Sequence, residues 1–286
     1  MKVPEMLILI AFGHFIGRKL NLAKVGRFAS KYLLAFLIFG NIASKSLDYL
    51  LSIKIVFIYA VLVIVICLLS SYLYGYAFIK DHKWRGALIV LSVYPNLSAL
   101  GFPIVSLFVN DITPAVIYAS ITSMTVVPIV TFVASHFSDH ASTLKESLKT
   151  SVLFPPSIAT VLGVTAVVLN IKIPCLNVIK RIGWLTIPLL LIYFGSRITL
   201  KRFTLKSFAE VLVFRSLIPA VFVVTTLYGY SEEVFYSVLV ESVMPPAISA
   251  NAILAYYNLK AEDAISATFA HTILTLAVFI VLGILR

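Results

Sequence analysis

Two ionisable residues lie inside otherwise apolar segments of the chain. Glu241 stands four residues before Pro245, and Arg215 lies well inside another apolar run. An ionisable side chain in hydrocarbon is costly, so it usually faces protein, water or a partner. A buried carboxyl group is a suitable binding site for H⁺ or Na⁺. We therefore expect Glu241 to couple transport to an ion. The equal alternative is a structural carboxylate satisfied by a nearby cation or hydroxyl.

The positive charge of Arg215 suits it as a counter-charge for a substrate carboxylate. The alternative is that the side chain snorkels to the cytosolic interface. A helix rises about 1.5 Å per residue, and the hydrocarbon core is about 30 Å thick. On that basis Arg215 and Glu241 differ by roughly 10 Å in depth, so a direct salt bridge between them is not predicted.

Two segments carry prolines beside polar residues. Residues 94–103 read Tyr-Pro-Asn-Leu-Ser-Ala-Leu-Gly-Phe-Pro, and residues 241–251 read Glu-Ser-Val-Met-Pro-Pro-Ala-Ile-Ser-Ala-Asn. Proline removes a backbone donor, and each freed backbone group in a bilayer costs several kcal/mol unless it finds a partner. One interpretation is a pair of kinked helices. The other is a pair of unwound helices that cross near the midplane. The predicted helix-breaking residues are Pro95, Pro103, Pro245 and Pro246.

Unwound helices would create a binding site for an anion. The N-terminus of a half-helix carries free N–H groups and a partial positive charge, which together bind an anionic group without a full positive charge. The residues predicted to bind substrate are Asn96, Ser98, Gly101, Ser249, Asn251 and Arg215. The hydroxyls of Thr122, Ser123 and Thr125 are expected mainly to pack, with a lining role as the alternative. His14 and His271 are expected to be hydrogen-bonded packing residues, with proton relay as the alternative.

These residues are embedded in a chain that is too apolar for a water-soluble fold. Of its 286 residues 60% are hydrophobic and 12% are charged, and the mean hydropathy is +1.03. Soluble domains have roughly 25% charged residues. The composition excludes a cytosolic enzyme, a nucleic-acid-binding protein and a secreted protein. We assign the net charge of +11 to loops that contact the lipid bilayer.

Long, continuous apolar runs predict an all-α integral membrane protein. The ten predicted transmembrane helices lie at about residues 3–20, 28–44, 54–76, 85–108, 114–135, 150–170, 180–197, 208–228, 234–257 and 263–285. The connections after odd-numbered helices, with the residues beside them, hold about twice as many lysines and arginines as the opposite side. The positive-inside rule therefore places both termini outside the cytosol.

The ten helices divide into two halves of five. Because five is odd, the second half enters the membrane from the opposite side, and two such repeats are inverted repeats. The predicted organisation is a first repeat over 1–135, a cytosolic connecting loop over 136–149 and a second repeat over 150–286. No catalytic, metal-binding or nucleotide-binding motif is present, so no enzyme, metal or cofactor is predicted.

The broken segments also resemble those of a known family. The Pro95–Pro103 stretch resembles the fourth span of the auxin efflux carrier family. Met244–Ala247, followed by Tyr256–Leu259 and a final apolar span, is similar to that family's ninth and tenth spans. Gly195, which closes an apolar run after Pro188, resembles its seventh. The long cytosolic loop of the plant members is absent.

The resemblance implies two inverted five-helix repeats with crossing helices 4 and 9. It also implies a scaffold that often dimerises and a transport part that moves as an elevator. Prokaryotic-type members of the family are associated with export or exchange of small organic acids. The plan is related to that of the bile-acid/sodium symporters.

We therefore predict a secondary transporter of a small organic anion, a carboxylate, in the plasma membrane, with coupling to H⁺ or Na⁺. One alternative is a Na⁺-coupled carrier of the bile-acid symporter type. The other is a membrane receptor or scaffold that does not transport.

Overall fold

The computed structural model describes residues 3–138, 153–197 and 204–285, and throughout these ranges the regular structure is helical. Most of the predicted connecting loop at 136–149 therefore lies outside the described residues. The first half contains α1 (Val3–Gly17), α2 (Ala23–Phe28), α3 (Leu34–Ala43), α4 (Leu47–Ser52), α5 (Ile55–Phe78), α6 (His82–Val93), α7 (Phe102–Phe108) and α8 (Thr113–His136). The second half contains α9 (Pro155–Val168), α10 (Leu176–Trp184), α11 (Thr186–Ser196), α12 (Leu205–Leu212), α13 (Ile218–Leu227), α14 (Glu232–Val243), α15 (Ile248–Tyr256) and α16 (Ala261–Leu285).

Three short stretches are π-helical, with hydrogen bonds that span one residue more than in an α-helix. They are π1 (Ala29–Leu33), π2 (Leu97–Gly101) and π3 (Val213–Leu217). Each continues directly into an α-helix, namely α3, α7 and α13. Such widened turns are rare overall, and those that occur are frequently found at functional sites. Three consecutive residues of π3 are buried, namely Phe214, Arg215 and Ser216.

Within the described ranges, which are helical, six stretches are long and apolar enough to cross a membrane, and this indicates a membrane protein built from helices. They are Ala23–Ala43, Ile55–Phe78, Thr113–His136, Leu176–Ser196, Leu205–Leu227 and Ala261–Ile284. Each of the ten predicted segments overlaps at least one helix. The remaining four are either short, as in α1 and α9, or interrupted, as in the two proline-containing segments.

One set of helices packs through very close glycine contacts. Helix α1 lies against α11, and α3 lies against α9 and α10. A Cβ atom at Gly13 would lie 2.0 Å from the carbonyl oxygen of Ile192, and one at Gly183 would lie 2.4 Å from the backbone nitrogen of Leu37. Small residues allow helix backbones to approach in this way. We call α1, α2–α3, α9 and α10–α11 the four-segment group.

The other helices form a second set that contains both proline-containing segments. Helix α5 packs against α6 and α8, α14 packs against α8 and α13, and α12 packs against α16. The Tyr59 and Phe222 rings stack between α5 and α13, with centroids 5.4 Å apart. We call α5, α6–α7, α8, α12–α13, α14–α15 and α16 the six-segment group.

A cluster of polar side chains joins the linker between the two groups to the six-segment group. Helix α4 links α3 to α5, and its Tyr49 hydroxyl donates to Asp111 Oδ2 at 2.6 Å, while Lys45 Nζ donates to the same oxygen at 2.7 Å. Thr113 Oγ1 donates to Asp111 Oδ1 at 2.6 Å. Burial alone would raise the pKa of Asp111, but these hydrogen bonds outweigh it and lower the pKa to about 2. Asp111 is therefore a stable carboxylate that joins the α4 linker to the six-segment group.

Candidate functional site at the crossing of two broken segments

The two proline-containing segments cross and bond to each other. Helix α6 ends at Val93 and α14 ends at Val243, and helical structure resumes at Leu97 and Ile248. Between these points the chains form an antiparallel bridge from Pro95 to Pro246. Two freed backbone donors are satisfied there by carbonyls of the opposite segment, so each break supplies the partners that the other needs.

Both hydrogen bonds of this bridge are 2.8 Å long. The N–H of Asn96 donates to the carbonyl of Pro245, and the N–H of Ala247 donates to the carbonyl of Tyr94. Pro95, Pro245 and Pro246 all lie in the interrupted stretches. Pro103 does not, and its predicted helix-breaking role is wrong. It lies inside helical structure that runs without a break from Leu97 to Phe108, just after π2 gives way to α7.

The guanidinium group of Arg215 holds the ends of both broken helices. Its Nη1 donates to the carbonyl of Ser92, in the last turn of α6, at 2.8 Å. Its Nη2 donates to the carbonyl of Ser242, and its Nε donates to that of Met244 at 3.0 Å. A helix C-terminus carries unpaired carbonyls and a partial negative charge. Arg215 therefore neutralises two helix C-termini at once.

This geometry corrects both sequence-based interpretations of Arg215. The residue is 1% exposed, so its side chain does not snorkel to an interface. Besides the three carbonyls, Nη1 lies 3.6 Å from Cys67 Sγ. Four of the five guanidinium N–H groups thus have protein partners, which leaves little for a substrate carboxylate. Arg215 positions the crossing and is not an open counter-charge.

Ser216 and His271 extend the same network. Ser216 Oγ donates to the carbonyl of Val243 at 2.6 Å and lies 2.7 Å from His271 Nε2. Because the serine proton points to Val243, the histidine must donate through Nε2, which leaves Nδ1 as an acceptor. That nitrogen is buried and has no partner among the described residues. The hydrogen-bonded packing role expected of His271 agrees with its Nε2 contact.

Glu241 lies next to the crossing in a different environment. The residue is fully buried, and neither carboxyl oxygen has a hydrogen-bond partner in ranges 3–138, 153–197 and 204–285. Its Oε2 lies 2.2 Å from the position of a Cβ added to Gly101. Gly101 therefore makes room for this carboxyl group, which differs from the substrate-binding role predicted for it. Arg215 is an electrostatic neighbour of Glu241 but forms no ion pair with it.

The remaining predicted binding residues are spread along the two resumed helices. Asn96 is buried at the bridge, while Ser249 is exposed beside Tyr94. Asn251 is buried and its Oδ1 accepts from Thr268 Oγ1 at 3.2 Å. Ser98 lines a cavity of about 20 Å³. These residues surround the crossing without converging on a single ligand-sized space.

Four serine residues line the cavity, Ser98 included. Three further serines line it, Ser120 and Ser123 on α8 and Ser157 on α9. It lies between the two groups of helices, because Leu34 and Ile38 of α3 form another wall. A space of this size accommodates one water molecule.

No family model and no curated protein matches this chain. The resemblance to the auxin efflux carriers therefore remains an expectation from its short motifs, and the functional argument depends on the site.

Sequence reasoning missed three participants in this site. Ser216 follows Arg215 directly, yet a regular α-helix would point two consecutive residues about 100° apart. Both residues are nevertheless buried in π3. Cys67 and Tyr118 are buried neighbours of Arg215 from α5 and α8. The sequence signal that could have found Ser216 is its place beside the single arginine of an apolar run.

Proposed function

We propose that the chain is a secondary carrier of a small organic anion, a carboxylate, in the plasma membrane. The observation that carries the proposal is the bridge between the breaks at Pro95 and Pro246. Non-helical backbone inside a membrane protein is tolerated where it is buried in protein or lines a cavity. In secondary transporters, discontinuous helices of this kind form the binding site near the midplane.

The packing of the helices supports an inverted-repeat plan. Helix α1 contacts α11 and α9 contacts α3, which are reciprocal pairs if the first and second segments of each half correspond. Contacts within the halves are also equivalent. The third segment packs against the fourth in both halves (α5 with α6, α13 with α14), and the third packs against the fifth in both (α5 with α8, α12 with α16). Pairs exchanged in this manner are expected when two halves are related by a two-fold axis in the membrane plane.

The division into two groups supports an elevator mechanism. In this proposal the six-segment group, which contains the crossing, moves against the four-segment group. The small cavity beside Ser98 lies on their common boundary. A space of about 20 Å³ is too small for an organic anion, so movement between the groups would open the site. The family resemblance adds dimerisation through the four-segment group, with both termini outside the cytosol.

The anion would bind at the N-terminal ends of the resumed helices. The first N–H groups of π2 and α15 have no intrahelical acceptor, and neither Asn96 nor Ala247 caps its helix with a side chain. Asn96, Ser98, Ser249 and Asn251 provide amide and hydroxyl groups at the same ends. This arrangement suits a carboxylate because the partial positive charge of the helix ends replaces a full cation.

The test is uptake by the purified protein in proteoliposomes. A thermal-shift screen of mono- and dicarboxylates, indole acids, amino acids and bile acids selects the ligand, since a ligand at 100 times its Kd stabilises by about 2.7 kcal/mol. The radiolabelled ligand is then offered to vesicles loaded with the unlabelled form. We expect saturable exchange. Binding without flux would favour a receptor, and a strict need for Na⁺ would favour the bile-acid symporter type.

A further inference from the structure

The C-terminal ends of broken helices are where transporters hold coupling cations. Unwound backbone carbonyls and half-helix C-termini coordinate Na⁺ in carriers of this architecture. At the present crossing those carbonyls belong to Ser92, Ser242, Val243 and Met244. Each accepts a hydrogen bond from Arg215 or Ser216. A fixed guanidinium group therefore occupies the position at which a mobile cation would bind.

The carboxyl group of Glu241 stands outside this network. Both of its oxygens are buried and have no partner in the described part of the chain, and Gly101 faces the carboxyl group. A charged carboxylate without hydrogen bonds or a paired cation is strongly disfavoured in an apolar interior, whereas the neutral acid is far easier to bury. The burial of Glu241 therefore suits a protonated side chain.

The helices that pack against α14 contain few ionisable groups that could stabilise a charged Glu241 carboxylate. Segment π2–α7 and helix α13 have no ionisable side chain. Helix α8 provides Tyr118, π3 provides Arg215, and α5 provides Cys67 beside several tyrosines. His271 reaches the crossing through Ser216. The described residues include no cluster of three or more His, Cys, Asp or Glu side chains that would hold a metal ion.

We propose that Arg215 is a built-in cation at the crossing and that Glu241 carries the coupling proton, so that transport is driven by H⁺ and is independent of Na⁺. This inference rests on the proposed carrier function. The step is a simple protonation: a Glu241 oxygen gains H⁺ from one side of the membrane and releases it to the other, and only the O–H bond forms and breaks. A monocarboxylate that moves together with one proton is carried without net charge.

The first experiment measures the coupling ion with the wild-type protein. Proteoliposomes receive an inward pH gradient, an inward Na⁺ gradient with choline as the replacement cation, or neither, and uptake of the screened carboxylate is followed. A gradient of one pH unit should give about tenfold accumulation of a monocarboxylate coupled to one proton. The Na⁺ gradient should give none. Accumulation driven by Na⁺, or uptake that ignores the pH gradient, would overturn the inference.

The second experiment detects the proton directly and needs no transport. Infrared spectroscopy of the protein should show the C=O stretching band of a protonated carboxyl group at neutral pH, and the band should be absent from Glu241→Gln. The matched control is Glu210→Gln, because Glu210 is also buried but accepts hydrogen bonds from Trp84 Nε1 at 2.6 Å and Tyr74 at 3.1 Å. The control should retain the band.

The two experiments separate the inference from the proposed function. A protein that takes up no carboxylate under any gradient would contradict the carrier proposal, while the infrared band would still decide whether Glu241 holds a proton. An ionised Glu241 would overturn the inference even in an active carrier. In the expected case Glu241→Gln loses accumulation driven by the pH gradient, whereas Glu210→Gln retains it.

Discussion

The backbone N–H of Asn96 donates to the carbonyl of Pro245 across 2.8 Å, and this bond joins the two halves of the chain at their breaks. A second bond from Ala247 to Tyr94 makes the connection reciprocal. Neither bond needs a particular side chain at position 96. The side-chain amide of Asn96 can therefore contact a substrate while the backbone N–H of the same residue maintains the crossing.

Replacing Asn96 by alanine separates these two roles. We expect Asn96→Ala to fold normally, because its N–H still reaches Pro245, but to lose about tenfold or more in carboxylate affinity, as expected when one hydrogen bond to a charged group is removed. The matched control is Asn110→Ala, at an exposed loop position. Exchange in proteoliposomes at several ligand concentrations measures the change. Equal affinities for both variants would remove Asn96 from the site.

Arg215 is expected to be essential for stability. Arg215→Met would leave three buried carbonyls at two helix ends without their donor, and breaking such a buried charged contact costs about 3–5 kcal/mol. Arg197→Met is the control, because Arg197 is exposed at the end of α11, where its Nε donates to the Tyr193 hydroxyl at 3.3 Å. Thermal unfolding in detergent should show a large decrease in melting temperature for Arg215→Met and almost none for Arg197→Met. Similar melting temperatures would contradict the role of Arg215 at the crossing.

The contact between Gly101 and Glu241 predicts coupled mutations. A methyl group at position 101 would overlap the Glu241 carboxyl group, and such overpacking typically costs about 1–3 kcal/mol. Gly101→Ala should therefore destabilise the wild-type protein more than it destabilises Glu241→Ala, where the space is vacated. Unfolding measurements on the four variants form a double-mutant cycle.

A control glycine makes that cycle specific. Gly283→Ala places its Cβ 3.1 Å from a Val3 methyl group, which belongs to a side chain at the other end of the chain. Its effect should be the same with and without Glu241. If the cost of Gly101→Ala is likewise unchanged in the two backgrounds, the two residues are not in contact.

The Asp111 cluster predicts a dependence of stability on pH. The pKa of Asp111 falls from 3.8 to about 2 because the hydrogen bonds from Lys45, Thr113 and Tyr49 outweigh its burial. A carboxyl group whose pKa is lower in the folded than in the unfolded protein stabilises the fold at pH values above its unfolded-state pKa. That stabilisation is lost as the pH falls towards the folded-state pKa. Ionised Asp111 contributes on the order of 2 kcal/mol to the free energy of unfolding above pH 4, and this contribution disappears towards pH 2.

Asp111→Asn should remove this dependence. The variant is expected to unfold more easily than wild type at neutral pH and to differ little from it near pH 2, with thermal unfolding in detergent as the measurement. Asp48→Asn is the control, since Asp48 lies on the same linker helix α4 and is outside the cluster. A constant difference between Asp111→Asn and wild type at all pH values would argue against ionisation of Asp111 as the cause.

Much of the architecture follows from local patterns in the sequence. Apolar runs indicate where the helices lie, and Pro95, Pro245 and Pro246 indicate where two of them stop, because a residue without an N–H and with a bulky ring disrupts the hydrogen bonding of a helix interior. Pro103 shows the limit of that rule. Pro103 lies within the continuous helix formed by π2 and α7, and Pro128 lies inside α8.

The contacts of the site are harder to predict. Arg215 binds backbone carbonyls, which every residue has, so no sequence signal distinguishes Ser92 or Met244 as its partners. The widened turn π3 depends on tertiary packing for its extra residue. The fit of Glu241 against Gly101 joins positions that are far apart in the chain, and only the crossing brings them together.

The bridge between Pro95 and Pro246 also has a consequence for how the protein is made. Its two residues are separated by about half of the chain, so the first break is synthesised long before its partner exists. During that interval the backbone groups around Pro95 have neither the bridge nor Arg215 to bond with. Nascent chains that end before residue 246 should therefore be held by the insertion machinery or removed by proteolysis.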